Sequence, residues 1–106
     1  MSGVFLRLFT AESAKHGSKL QYEWVLDQAR DLGFGGGSVF RSIAGFGRHG
    51  RVHEEHFFEL AGDLPLCMEF FADAALVDQL LDVLKAQGVS LFYVRFPAEA
   101  GVTSKP

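Results

Sequence analysis

The chain has 106 residues, with 10 basic against 13 acidic side chains and a formal charge of −3. A domain of this length buries roughly 65% of its unfolded surface, which allows one hydrophobic core and leaves no material for a second domain. Apolar residues at 48%, including 11 Phe, exclude a disordered chain, and the missing basic excess removes the electrostatic footprint of a nucleic-acid binder.

Cys67 is the single cysteine, so an intrachain disulfide and a thiolate metal cluster are excluded, and its apolar neighbours mark it as a small hydrophobe. Neither a signal-peptide pattern nor a long apolar run is present. The expectation is a cytoplasmic protein with no direct membrane insertion. So much Phe on so short a chain also argues that part of its surface is covered by a partner.

Val4 to Phe9 predicts a strand, and Thr10 to Ser18 a loop. Ser18 with Gln21 matches a capping box, placing a helix from about Lys19 to Leu32 that Gly33 stops. Tyr22, Val25, Leu26, Ala29 and Leu32 share one face of it, which is assigned to the core. Leu20 and Trp24 lie on the other side, where a neighbouring subunit, a ligand or the chain's own surface must cover the indole. The Gly35 to Gly37 turn leads into a second strand, Ser38 to Phe46.

Past Gly47 the sequence reads as a loop containing a short strand-like run, His56 to Leu60, before the Gly62-Asp63-Leu64-Pro65 turn. Leu66 to Ala72 is a third strand. Asp73 is placed to cap a second helix ending near Gly88, with Leu76, Val77, Leu80, Leu81, Val83 and Leu84 as its apolar face. Val89 to Phe96 is the fourth strand, and residues 97–106 read as a flexible tail after a domain spanning 1–96. The order β-α-β-β-α-β defines an α+β, ferredoxin-like fold, an antiparallel sheet with two helices on one face.

Strand alternation assigns Val4, Leu6, Leu8, Phe40, Ala44, Leu66, Met68, Phe70, Phe92, Val94 and Phe96 to the helix-facing side, with Ser42 as its polar exception. The opposite parity is Phe5, Arg7, Phe9, Val39, Arg41, Ile43, Cys67, Glu69, Phe71, Leu91, Tyr93 and Arg95. That face is too apolar for water, and no helix remains to cover it, so a homo-oligomer is expected. Arg7, Arg41, Glu69 and Arg95 would form a charged belt at the interface, where a lone charge costs several kcal/mol unless paired. Salt bridges to Glu69 and bonds to backbone carbonyls are the first expectation for this belt, and three arginines against one glutamate leave an unbalanced positive charge that keeps an anion site open.

The segment Gly45-Phe46-Gly47-Arg48-His49-Gly50-Arg51 carries the clearest chemistry. Gly45-x-Gly47-x-x-Gly50 matches a dinucleotide fingerprint in form, yet that motif works by placing a pyrophosphate on a following helix, and no helix follows here. Approachable amides beside Arg48 and Arg51 still suit phosphate, and a simple turn would need the same glycines. His49, His53 and His56, with Glu54 and Glu55, offer divalent-metal ligands. The three-residue spacing of His53 and His56 differs from the helical HExxH arrangement, and on an extended loop the two would point apart. His16, in the Lys15-His16-Gly17 turn, is either a plain loop histidine or one that reaches a ligand across a subunit boundary. No nucleophile with its base and no catalytic carboxylate pair is recognisable, so no enzymatic activity is expected.

Arg41-x-x-x-Gly45-Phe46-Gly47-Arg48-His49 closing the second strand of this topology resembles the PII-type nitrogen regulatory proteins. With Lys15-His16-Gly17 and the Leu64-Pro65-Leu66 strand start, residues 3 to 96 are most similar to their small PII-like branch, the domain-of-unknown-function 190 family. The resemblance implies a homotrimer, a flexible partner-contacting loop after the second strand and ligand pockets in the clefts between subunits, where PII relatives bind adenine nucleotides. By position, Gly45, Phe46, Gly47 and Arg48 form the base of that loop and residues 49–56 the loop itself. Arg41, Gly45, Phe46, Gly47, Arg48, His49 and Arg51 are therefore the expected ligand-binding residues.

Lys85-Ala86-Gln87-Gly88-Val89 departs from the glycine-rich, lysine-bearing phosphate loop of PII proteins. What the resemblance then leaves is a smaller adenylate, another anion or no nucleotide at all. The loop also lacks the tyrosine used for uridylylation. The reading is a non-enzymatic regulator that signals to a partner such as a transporter or channel. The alternatives are a divalent-metal-binding trimer resembling the CutA-type proteins, with His49, His53 and His56 as ligands, and a purely structural oligomer.

Overall fold

The computed structural model describes residues 1–45 and 65–104. Its elements are β1 (Ser2–Ala11), β2 (Lys15–His16), β3 (Lys19–Leu20), α1 (Gln21–Leu32), β4 (Gly37–Arg41), β5 (Pro65–Ala72), α2 (Ala74–Ala86) and β6 (Phe92–Glu99). The main sheet has the order β4-β5-β1-β6, every neighbouring pair antiparallel, and β2 and β3 form a separate two-stranded hairpin. This is the split βαβ arrangement expected from the element order. The strand-like run His56 to Leu60 and the turn at 62–64 lie outside the described residues.

Both helices bury their stripes against the same sheet face. Val25 and Ala29 of α1 and Val77, Leu80 and Leu84 of α2 join Val4, Leu6, Leu8, Met68, Phe70 and Ala72 in one cluster. Their spacing places them on a single face of each helix, as the apolar periodicity predicts. Gly33 adopts φ +105 and its amide reaches Arg30 O, so a left-handed residue ends α1.

The start of α1 differs from the expected capping box. The segment expected to be a loop up to Ser18 instead forms the β2–β3 hairpin, turning at Gly17 with φ +64. The helix begins at Gln21 behind Leu20, with no side-chain cap. Gln21 is engaged elsewhere: its Oε1 accepts from Thr10 Oγ1 at 2.5 Å, and its amide donates to Ala14 O at 2.8 Å. At α2, Asp73 does occupy the N-cap position, without a side-chain cap bond.

Register corrects the parity of two strands. Val39 pairs with Met68 and Phe40 with Cys67, so Val39 turns to the core and Phe40 to the open face. Phe92, Val94 and Phe96 lie opposite Phe9, Arg7 and Phe5, which places them on the open face, and Tyr93 and Arg95 on the helix side opposite Leu8 and Leu6. A one-residue offset moves every side chain of a strand to the other face. Where both faces are apolar, alternation alone does not reveal that offset.

Strand ends shift as well. β4 stops at Arg41, and Ser42 donates from its amide to Pro65 O at 2.9 Å. β6 begins at Phe92 because Val89 still caps α2, its amide bonded to Leu84 O at 2.9 Å past Gly88 at φ +70. It runs to Glu99, where Ser2 and Gly3 of β1 still provide partners, so Pro97 to Glu99 belong to the sheet rather than to a tail.

Candidate functional site

At the end of β4, Arg41 lies opposite Leu66, which turns its guanidinium toward the helix side. Its Nε donates to Glu12 Oε2 at 3.0 Å and its Nη2 to the same oxygen. Tyr22, Val39 and Leu66 complete a hollow of about 220 Å³ around this pair. The hydrogen bond from Arg41 to Glu12, reinforced by the carboxylate's charge, raises the already high pKa of the guanidinium, so Arg41 is a permanent cation. Beyond it the chain runs through Ile43, which is 98% exposed, to Gly45, whose would-be Cβ meets no atom of the described residues. Of the expected ligand-binding residues, Arg41 and Gly45 stand at this strand end. Phe46, Gly47, Arg48, His49 and Arg51 lie outside the described residues, as do the metal candidates His53 and His56. Among the described residues no cluster of metal-ligating side chains occurs.

The β2–β3 hairpin folds over α1 nearby, and the His16 imidazole stacks on the Trp24 indole with ring centroids 3.9 Å apart. Trp24 is thus covered from within its own chain, and the indole packs at the margin of the core. The hairpin is also tied to α1 by Lys19, which bonds Asp27.

A second and larger hollow was not anticipated. It has a volume of about 720 Å³ and lies at the opposite sheet edge, between α2, the α2–β6 connection and β6. Leu8, Leu81, Leu84 and Leu91 line its apolar part, and Asp78, Asp82, Lys85, Ser90, Tyr93 and Arg95 its polar part. Arg95 Nη1 donates to Asp78 Oδ1 at 2.6 Å, crossing from strand to helix. The signal for this site is the polar stripe Asp78, Asp82, Lys85, spaced four and three residues apart beside the apolar face of α2. Misassigned parity in β6 hid the strand residues facing it.

The open sheet face carries Phe5, Phe9, Phe40, Cys67, Phe71, Phe92, Val94 and Phe96. Phe5 stacks on Phe96 with centroids 5.2 Å apart and Phe9 on Phe92 at 5.6 Å. Such cross-strand aromatic pairs hold the β1–β6 register at about 0.5–1.5 kcal/mol each beyond area burial. Arg7 meets Glu69 at 2.7 Å and lies 5.6 Å from the Phe5 ring centroid. Burial pushes the Cys67 thiol up, only partly opposed by the charge of Arg7. The expected belt of three arginines against one glutamate is therefore corrected. Arg41 and Arg95 are on the other side with carboxylates of their own, and among the described residues the open face keeps the neutralised pair of Arg7 and Glu69.

This architecture is the PII-like fold. The structure of CPII from Thiomonas intermedia K12 bound to ADP, AMP and acetate superposes with a TM-score of 0.61 at 16% identity, covering 96% of this chain and 93% of that one. The ADP and bicarbonate complex of CPII gives 0.59 at 16% identity, over 96% and 93%. Apo CPII, a nitrogen regulatory PII-like protein, gives 0.57 at 13% identity, over 96% and 97%. At the level of sequence, the DUF190 family, described as Uncharacterized ACR, matches residues 3–91, and the chain belongs to that family. It is also 30% identical over 82 residues to a UPF0166 protein of Aquifex aeolicus (strain VF5), spanning 77% of this chain and 78% of that protein. Among the described residues no helix is long and apolar enough to cross a membrane.

Proposed function

We propose that this chain is a cytoplasmic, non-enzymatic PII-like regulator that assembles as a homotrimer and takes a small anionic ligand, an adenine mono- or diphosphate, in the clefts between subunits. The observation that carries the reading is the placement of the two hollows. The Arg41 hollow and the α2–β6 hollow sit at opposite edges of one sheet, beside β4 and β6. A closed ring is built from heterologous interfaces, in which one edge of a protomer meets the other edge of its neighbour. In a threefold ring the two half-sites become one cleft, and the phenylalanine-rich open faces turn inward and leave water. CPII, of the same fold, is bound to ADP and AMP, which supports the choice of ligand class.

In this cleft Arg41, Gly45, Phe46, Gly47, Arg48, His49 and Arg51 come from one protomer, and the α2–β6 cavity from the next. The signal would pass through the loop after the second strand, Arg48 to His56, for which the ligand must bind one state of the protein better than another. That loop is the surface offered to a regulated partner such as a transporter or channel.

Titration calorimetry of the assembled protein with AMP, ADP and ATP tests the reading, together with its mass in solution. A trimer that binds AMP or ADP, and loses affinity in Arg41→Ala and Arg48→Ala, is the expected result. Absence of binding by all three nucleotides overturns it. Stoichiometric zinc retained by untagged protein and lost in His53→Ala would favour the metal-binding alternative instead.

A further inference from the structure

The α2–β6 hollow holds two cationic side chains, Lys85 and Arg95, and two carboxylates, Asp78 and Asp82. Its formal charge is therefore balanced, and no surplus positive charge is available to attract an anion. Arg95 is already engaged, with Nη1 2.6 Å from Asp78 Oδ1, and this bond crosses the hollow from β6 to α2. The Arg95 side chain is 31% exposed and that of Asp78 is 62% exposed, so the carboxylate is the partner that returns to water at the smaller cost. An exposed pair of this kind is weak, about 1 kcal/mol or less, whereas an arginine fork on a phosphate makes two charge-assisted bonds.

We propose that Asp78 is a built-in competitor for the ligand's phosphate: it holds Arg95 aimed into the hollow while the site is empty, and is exchanged for phosphate when the ligand enters. The proposal rests on the reading of this hollow as part of the ligand cleft and deepens it. Asp78 is a positioning residue, since it acts through Arg95. The exchange also selects among anions. A singly charged carboxylate replaces Asp78 like for like and gains little, while a phosphate carrying more charge outcompetes it. The favoured class is therefore phosphorylated ligands over simple carboxylates.

Calorimetry with ADP and, separately, with acetate on Asp78→Asn, Asp78→Glu, Arg95→Gln and Asp78→Asn/Arg95→Gln decides the matter, with thermal unfolding of each variant to verify folding. The expected result is about fivefold tighter ADP binding in Asp78→Asn, the loss of a competitor of this strength. Asp78→Glu should restore wild-type affinity, and the gain should vanish in the double variant, a dependence on Arg95 that a merely structural role would not produce. ADP binding by the wild type with Asp78→Asn equal or weaker overturns the competitor role and leaves the ligand reading standing. Absence of binding of AMP, ADP and ATP by both wild type and Asp78→Asn overturns both.

Discussion

Arg7 of β1 and Glu69 of β5 are directly opposed across the central strand pair, and their side chains meet at 2.7 Å in the middle of an apolar sheet face. Within one protomer the pair is partly open to water and worth little. In the proposed trimer, where other copies cover this face, the pair would be desolvated and each partner would depend on the other.

Glu69→Leu should therefore weaken assembly by about 3–5 kcal/mol, because it strands Arg7 in the interface, whereas Arg7→Met/Glu69→Leu should assemble as well as or better than the natural chain. Light scattering across a dilution series, with melting temperatures, checks this. Equal loss in the single and double variants would show that the face is not buried.

Gly3 lies tight against the neighbouring strand, where the nearest atom belongs to the backbone. A Cβ there would lie 2.7 Å from Ala72 O and 2.8 Å from a ring carbon of Phe71. Gly3→Ala is expected to cost about 1–3 kcal/mol through overpacking against a backbone atom that has little room to move. Gly35→Ala, with no atom of the described residues near its Cβ, should be neutral or stabilise by up to about 1 kcal/mol through the unfolded chain. Denaturant unfolding of both variants provides the contrast.

The 3.9 Å stack of His16 on Trp24 makes the chain's sole tryptophan a reporter of the β2–β3 hairpin. His16→Ala should shift the emission to the red as the indole opens to water, and should destabilise by about 0.5–1.5 kcal/mol. Fluorescence and thermal unfolding of the variant measure both effects. An unchanged spectrum would mean that the hairpin does not cover the indole in solution.

Lys19, by hydrogen bond and then by charge, holds the Asp27 carboxyl below its ordinary 3.8, with Arg30 adding a smaller contribution against the opposing effect of burial. A carboxylate depressed in the folded state stabilises above its unfolded pKa and loses that contribution as pH falls through the folded value. Asp27→Asn lacks it at every pH. The gap in melting temperature between the natural chain and this variant should be present at pH 5 and close below about pH 4. A gap that widens on acidification would reverse the sign and refute the assignment.

The order of the four main-sheet strands and two helices, the buried stripes of both helices, the glycine stop of α1 and the family resemblance were all legible in the sequence. Each rests on local or periodic information: 3.6-residue spacing, a residue suited to positive φ, or a short motif in a set order. Arg41 was picked out as part of that motif, although its strand, expected to run to Phe46, ends at Arg41 itself.

Which way β4 and β6 face was decided only by the tertiary structure. Alternation reveals the buried side through the contrast between two faces, and in a sheet apolar on both faces that contrast is missing. Cross-strand pairs such as Phe5 with Phe96 and Val39 with Met68 set the offset instead. From that offset follow the partners Glu12 for Arg41 and Asp78 for Arg95, and the hollow beside β6. Ion pairs between residues 17 and 29 positions apart depend on how strands and helices lie in space, which periodicity along a single segment does not encode.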